Sequence, residues 1–195
     1  MCKPKILLTG ASGTGKTTLA KKLSDKYSIP RMVFYGPDGE ELSAARYTAL
    51  QLIGKPLPYD VPDRELFQRK LVAVMADWVD AHGETGYVSD RADADQWAYT
   101  CLHGPDSLRD NPEFFAEAIA RDGQIIGLCT MDAFFKLGSD PARKSAIAYH
   151  RATEGLTKQY NRYYGSIVVK GANVVRRVVD REYLDDFDHG VTLCR

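Results

Sequence analysis

The residues best suited to chemistry stand near the start of the chain. Gly10-Ala11-Ser12-Gly13-Thr14-Gly15-Lys16-Thr17 satisfies GxxxxGK[ST] at every fixed position. Glycines let a backbone curl so that successive N–H groups point inward around a phosphate. A helix starting near Lys16 brings its positive N-terminal end to the same place. In such a loop Lys16 reaches the β- and γ-phosphates, the Thr17 hydroxyl holds magnesium, and Thr18 stands next in line. The expected ligand is ATP with Mg2+.

A second constellation, Ser89-Asp90-Arg91, is followed by Asp95, Ala98 and Tyr99. An acid such as Asp90 can hold magnesium directly or through water, and an arginine can grip a phosphate bidentately. Which groups matter depends on the acceptor. A phosphate acceptor needs no strong base and favours the arginines Arg46, Arg91 and Arg143. A hydroxyl acceptor needs a carboxylate within hydrogen-bond reach. Asp38, Glu40 and Glu41 follow the second strand, where the nucleoside kinases that this chain resembles place such a base, with Asp38 the candidate and Asp90 or Asp95 able to serve instead. The four cysteines and four histidines are scattered, so no metal site built from protein ligands alone is expected. Free thiols in a reducing cytoplasm follow from the same spacing.

Apolar strands alternating with amphipathic helices must position these groups. Residues 5–9 (KILLT) read as a buried strand running into the glycine loop, and residues 17–27 as a helix with Leu19, Leu23 and Tyr27 on one face. Residues 32–35 (MVFY) read as a second strand, closed by Gly36-Pro37-Asp38-Gly39, with a helix over 40–53 after it. Asp63 is an expected N-cap for a helix over 63–81, whose Phe67, Leu71, Val74 and Trp78 share a face. Residues 86–89 read as a third strand, 93–102 as a helix, and Asn111-Pro112 as the opening of another. Strands follow at 124–129 and 167–169, with a long helix over 141–164 between them and helix after residue 169. The alternation predicts an α/β fold, a parallel five-stranded sheet with helices on both faces. Ligands gather outside the carboxyl ends of such strands, so the glycine loop and Asp90-Arg91 should face one crevice.

Those segments resemble the small P-loop kinases of the nucleoside and nucleotide kinase group. Asp90-Arg91, Ala98 and Tyr99 keep the spacing of the thymidylate kinase pattern DRxxxSxxAY, with Ala92 replacing an aromatic and Asp95 the serine. The Asp95 departure looks closer to AAA-type kinase-like proteins, which include ribosylnicotinamide kinases and many phage-borne kinases. Such relatives also carry an Ala-Arg after strand two, here Ala45-Arg46, and an aromatic-Gln pair, here Phe67-Gln68. A DxxR lid has its counterpart in Asp140 and Arg143, and an adenine-cupping loop in Lys170-Gly171-Ala172.

The resemblance implies a single P-loop NTPase domain over 1–195 with a helical lid at about 136–164. It further implies phosphoryl transfer from ATP to a small-molecule nucleoside or nucleoside monophosphate, with a thymidylate-like acceptor favoured. Lys16, Asp90 and Arg143 would be catalytic, and Thr17 and Asp90 would hold the metal. Arg46, Gln68, Arg91 and Asp95 would bind the acceptor. Arg143 on a closing lid would stabilise transition-state charge and exclude water. Phage relatives suggest another acceptor, the hydroxyl of 5-hydroxymethyluracil in DNA. Outside the kinases, a P-loop NTPase switch or regulatory ATP-binding module would use water as nucleophile.

Composition bounds these readings. The 195 residues carry 26 basic and 26 acidic side chains, a net charge of zero that weighs against binding DNA mainly by phosphate neutralisation. A hydrophobic share of 44% excludes a disordered chain. No apolar run approaches the roughly 20 residues that span a bilayer, and the short apolar start lacks a signal-peptide pattern, so a soluble cytoplasmic protein is expected.

Overall fold

The computed structural model describes residues 3–9, 16–103, 105–111, 114–115, 124–129 and 174–178. Strand β1 (Lys5–Thr9) lies at the centre of a parallel sheet, between β4 (Tyr87–Ser89) and β5 (Gln124–Cys129), with β6 (Val174–Val178) beyond β5. Ile6 pairs with Val88 on one side and Gln124 on the other. A short hairpin joins β2 (Phe34–Tyr35) to β3 (Glu41–Leu42).

Both faces of the sheet are covered, as the unbroken apolar run of β1 requires. Side chains alternate along a strand, so Ile6 and Leu8 point one way and Leu7 the other. Ile6, Leu8 and Val88 pack with Leu19, Ala20 and Leu23 of α1 (Lys16–Tyr27). On the opposite face Leu7 and Tyr87 join Phe67, Leu71, Val72, Met75 and Val79 of α3 (Arg64–Ala81). Trp97 and Ala98 of α4 (Asp93–His103) and Ala49 of α2 (Ala44–Ile53) extend that cluster. The α/β fold and the two helical layers agree with the alternation in the sequence.

Three local expectations are corrected. Residues 32–35 were expected in the main sheet as a parallel strand. Instead Phe34–Tyr35 pairs antiparallel with Glu41–Leu42. The parallel contact to β4 is a single bridge at Arg31, with the Met32 amide donating to the Val88 carbonyl at 2.8 Å. Gly39, at φ 79°, closes the hairpin, and this turn takes the first residues of the expected 40–53 helix. That helix starts only after Ser43, whose hydroxyl accepts from the Arg46 amide at 3.3 Å. The third correction is at the far edge. Residues 174–178, expected as helix, form β6 in register with Ile125 to Cys129. Valine, β-branched and stiff, favours a strand once a partner edge is offered. Residues 167–169 and the expected helix over 141–164 lie outside the described residues, and no described helix is long and apolar enough to cross a membrane.

Asp63 caps α3 as expected, accepting from the Leu66 amide at 2.9 Å. The entry to β4 is tighter than the sequence suggests. Gly86 has φ 70°, and a β-carbon there would lie 2.7 Å from both Lys3 Cβ and the Pro4 carbonyl oxygen. Gly86→Ala should therefore cost about 2–4 kcal/mol, from left-handed strain plus overpacking. Thermal unfolding of the variant checks it, and an unchanged melting temperature would show that the β4 entry can relax.

Candidate active site

The β1–β4 pairing sets two strand ends side by side. Residues 10–15, where Gly10, Ala11, Ser12, Gly13, Thr14 and Gly15 stand, lie outside the described residues, as do Arg143 and residues 170–172. The first turn of α1 carries Lys16, Thr17 and Thr18. Thr17 Oγ1 donates a hydrogen bond of 2.6 Å to Asp90 Oδ2, just past the end of β4. This contact joins the two constellations.

Lys16 is only 5% exposed. Burial pushes its amine down from the usual 10.5 to about 8, the Arg91 guanidinium adds to the shift, and Asp95 and Asp90 oppose it. A cation held in a low-dielectric setting beside a second cation is a place made for an anion.

The loop after β4 is tied in a small knot of hydrogen bonds. Ser89 Oγ accepts from the Arg91 amide at 3.2 Å and donates to the Arg91 carbonyl at 2.7 Å. Asp95, fully buried, accepts from the Ala92 amide at 2.9 Å, the reach-back of a capping box at the start of α4. Its other oxygen meets Arg91 Nη1 at 3.4 Å, and Arg91 lies over the Tyr99 ring at 5.9 Å. Arg91 is thus aimed from two sides.

A cavity of about 710 Å3 opens next to this loop. Asp90, Arg91, Gln96 and Tyr99 line one side, and Arg64, Phe67, Gln68 and Leu71 another. The N-terminal end of α2, at Ser43, Ala44 and Ala45, adds to the lining, and Met32 together with Pro58 and Tyr59 of the 3-10 turn η1 (Pro58–Asp60) completes it. Gln68 is buried, and its amide nitrogen lies 3.4 Å from Gln96 Oε1 and 3.5 Å from the Gln96 carbonyl oxygen. The space offers aromatic faces, paired amides, guanidinium groups and one lining carboxylate, Asp90.

A family profile described as an AAA domain matches residues 5–177. The chain belongs to that AAA-domain family. Its fold is shared with solved kinases. Deoxyadenosine kinase from M. mycoides with bound dATP aligns over 94% of this chain and 96% of that chain, at 15% identity and a TM-score of 0.55. Shikimate kinase from Bacteroides thetaiotaomicron aligns over 94% and 93%, at 18% identity and a TM-score of 0.55. Thymidylate kinase from Candida albicans aligns over 94% and 88%, at 15% identity and a TM-score of 0.53. At these identities the likeness shows the small P-loop kinase fold. Among curated protein sequences, none matches.

Within this AAA-domain fold the expected site residues separate into groups. Lys16, Thr17, Asp90, Arg91 and Gln68 gather around the crevice, and Thr18 is exposed on the next step of α1. Asp95 does not line the cavity; it is buried behind Arg91. Arg46 is exposed and outside the lining, because a helix turns about 100° per residue and Ala44 and Ala45 take the inward face. Asp38 is exposed in the hairpin turn, also outside the lining, and Glu41 is held by Arg31 at 2.6 Å. Tyr59, Arg64 and Gln96 were not expected. Helical spacing could have found Arg64, which precedes Phe67, Gln68 and Leu71 by three, four and seven positions. Nothing local marks Tyr59.

The fold-state pKa of Lys16 lies below its unfolded value, so its burial opposes folding. That cost is fully present below about pH 8 and fades as pH rises toward 10.5. Lys16→Met should therefore raise the melting temperature of the ligand-free protein at pH 7 by roughly 3–10 °C. Melting curves of the two proteins should converge above pH 10. A variant less stable than wild type at pH 7 would show that the amine is compensated in full.

Proposed function

We propose that the chain is an ATP-dependent kinase, transferring the γ-phosphoryl group to a nucleoside or nucleoside monophosphate, with a thymidylate-like acceptor favoured. One observation carries this reading. The cavity that could take an acceptor ends at Asp90, and the same carboxylate receives the hydrogen bond from Thr17, next to Lys16 of the GKT sequence. Donor loop and acceptor space therefore share a wall, which in-line transfer requires.

Lys16 would neutralise the triphosphate, whose charge in turn raises the pKa of the buried amine. The Thr17 hydroxyl and the Asp90 carboxylate are hard oxygens in mutual contact, a donor set that suits Mg2+. When bound there, the ion supplies charge neutralisation to the β- and γ-phosphates. Phosphate oxygens and water would complete the shell of such an ion. Arg91, backed by Asp95 and Tyr99, would fix the acceptor, gripping its phosphate if it has one. For a hydroxyl acceptor, Asp90, the carboxylate that lines the cavity, would take the proton. Arg143 would close over the transferring group from the lid.

Labelled γ-ATP offered with nucleosides, nucleoside monophosphates and hydroxymethylated DNA identifies the acceptor class. Label on a nucleoside or its monophosphate supports the reading, and hydrolysis with label on none of them would favour the NTPase. On the acceptor found, Asp90→Asn should lower kcat on the order of 10²–10⁴-fold. Arg91→Ala should instead raise the acceptor KM by roughly 10- to 100-fold and leave ATP binding nearly untouched. Loss of ATP affinity in Arg91→Ala would place that arginine on the donor.

The lid reading is checked separately. Arg143→Ala should depress kcat on the order of a hundredfold with little change in nucleotide affinity, since the contact is made in the transition state. Weakened ATP binding at unchanged kcat counts against it.

A further inference from the structure

Arg64 is the first residue of α3, just after its Asp63 cap, and a cation there opposes the helix dipole. Its guanidinium is occupied by something more specific. Nη1 donates to the Pro58 carbonyl at 2.8 Å and Nη2 to the Tyr59 carbonyl at 2.6 Å. One planar fork thus bridges two successive carbonyls of η1, which lysine, with a single nitrogen, does not reproduce. The turn has its own restraints as well, with Pro58 fixing φ and the Asp60 amide donating to the Leu57 carbonyl at 3.0 Å.

What this device holds is Tyr59. The residue lines the cavity, yet is 68% exposed, so its ring sits at the mouth. A large aromatic left in water costs hydrophobic free energy unless something covers it. The cavity behind it is walled by Phe67 and Tyr99, with the paired amides of Gln68 and Gln96 deeper in. Aromatic faces with amide groups between them suit a flat heterocycle that has polar edges.

We infer that Tyr59 is a stacking platform for the base of the acceptor and that Arg64 is a positioning residue, acting through the backbone of η1. The inference rests on the reading of this cavity as the acceptor site. Base stacking on an aromatic ring is tolerant of base identity, so Tyr59 adds affinity for a nucleobase as a class. Arg64 lowers the disorder of the turn before binding and so reduces what ordering would otherwise subtract from affinity.

Initial rates with ATP and thymidine, deoxyadenosine or their 5′-monophosphates test it, the best of the four serving as probe. Tyr59→Ala and Arg64→Ala should each raise the acceptor KM by roughly tenfold, with the ATP KM unchanged. Tyr59→Phe keeps the ring and should return the KM to near wild type. Because Arg64 acts through Tyr59, the double variant Tyr59→Ala/Arg64→Ala should be no weaker than Tyr59→Ala alone. Multiplying effects would overturn the positioning role and put Arg64 directly on the acceptor. An unchanged KM in Tyr59→Ala would overturn the platform while wild-type turnover left the kinase reading standing. No turnover of any of the four by wild type would remove both. Tyr59 is exposed, so Tyr59→Ala should keep the wild-type melting temperature.

Discussion

The parallel pairing of β1 with β4 is the constraint on which the rest depends. Lys5, Ile6 and Leu7 stand opposite Tyr87, Val88 and Ser89, so two chain segments more than seventy residues apart run side by side toward the same edge of the sheet, β1 two residues further to Thr9. Past one end the described chain resumes in α1 at Lys16, and past the other it enters Asp90 and Arg91. A slip of one residue would turn Ile6 and Leu8 away from α1 and Leu7 toward it, undoing the packing on both faces at once. The hydrophobic effect thereby sets the position of a carboxylate relative to a threonine hydroxyl to within a hydrogen bond.

Electrostatics at that junction runs against stability. A lysine nearly out of water, with an arginine adding to its destabilisation, is retained where an apolar residue of similar length would fit. Asp90 and Asp95 offset part of the cost, and a polyanion would offset more. Such a site is weakest when empty and gains on loading, a common relation between catalytic groups and fold stability.

The cavity follows a different logic. Its wall is one stripe of α3, running from Arg64 to Leu71, which continues into the core through Val72, Met75 and Val79. The same helix therefore serves packing at one end and recognition at the other. Gln68 and Gln96 come from separate helices and meet in the buried space between them, where amides left apart would each lack a partner. The shared fold with deoxyadenosine, thymidylate and shikimate kinases does not dictate what this cavity could hold, because that depends on the lining side chains and not on the sheet.

Much of the β1–α1 half was legible in the chain. The GKT motif, the apolar run before it and the four-residue spacing of Leu19 and Leu23 are local patterns, and local patterns survive translation into structure. So did the cap at Asp63 and the strand at 124–129. The edge elements did not, because Phe34–Tyr35 and Val174–Val178 are decided by which partner edge is offered, and pairing energy overrides weak intrinsic preference. Among site residues, sequence placed Asp90 and Arg91 by the rule that ligands gather at strand ends, a matter of topology alone. It could not separate Arg46 from Ala45, since which face of α2 turns inward depends on packing against α3. Nor could it mark Tyr59, whose place at the cavity mouth depends on an arginine five residues away closing onto backbone carbonyls. Residue type and spacing marked a phosphate-loop motif and the strand end it would meet; side-chain direction, which only the packed helices decide, settled which groups line the cavity.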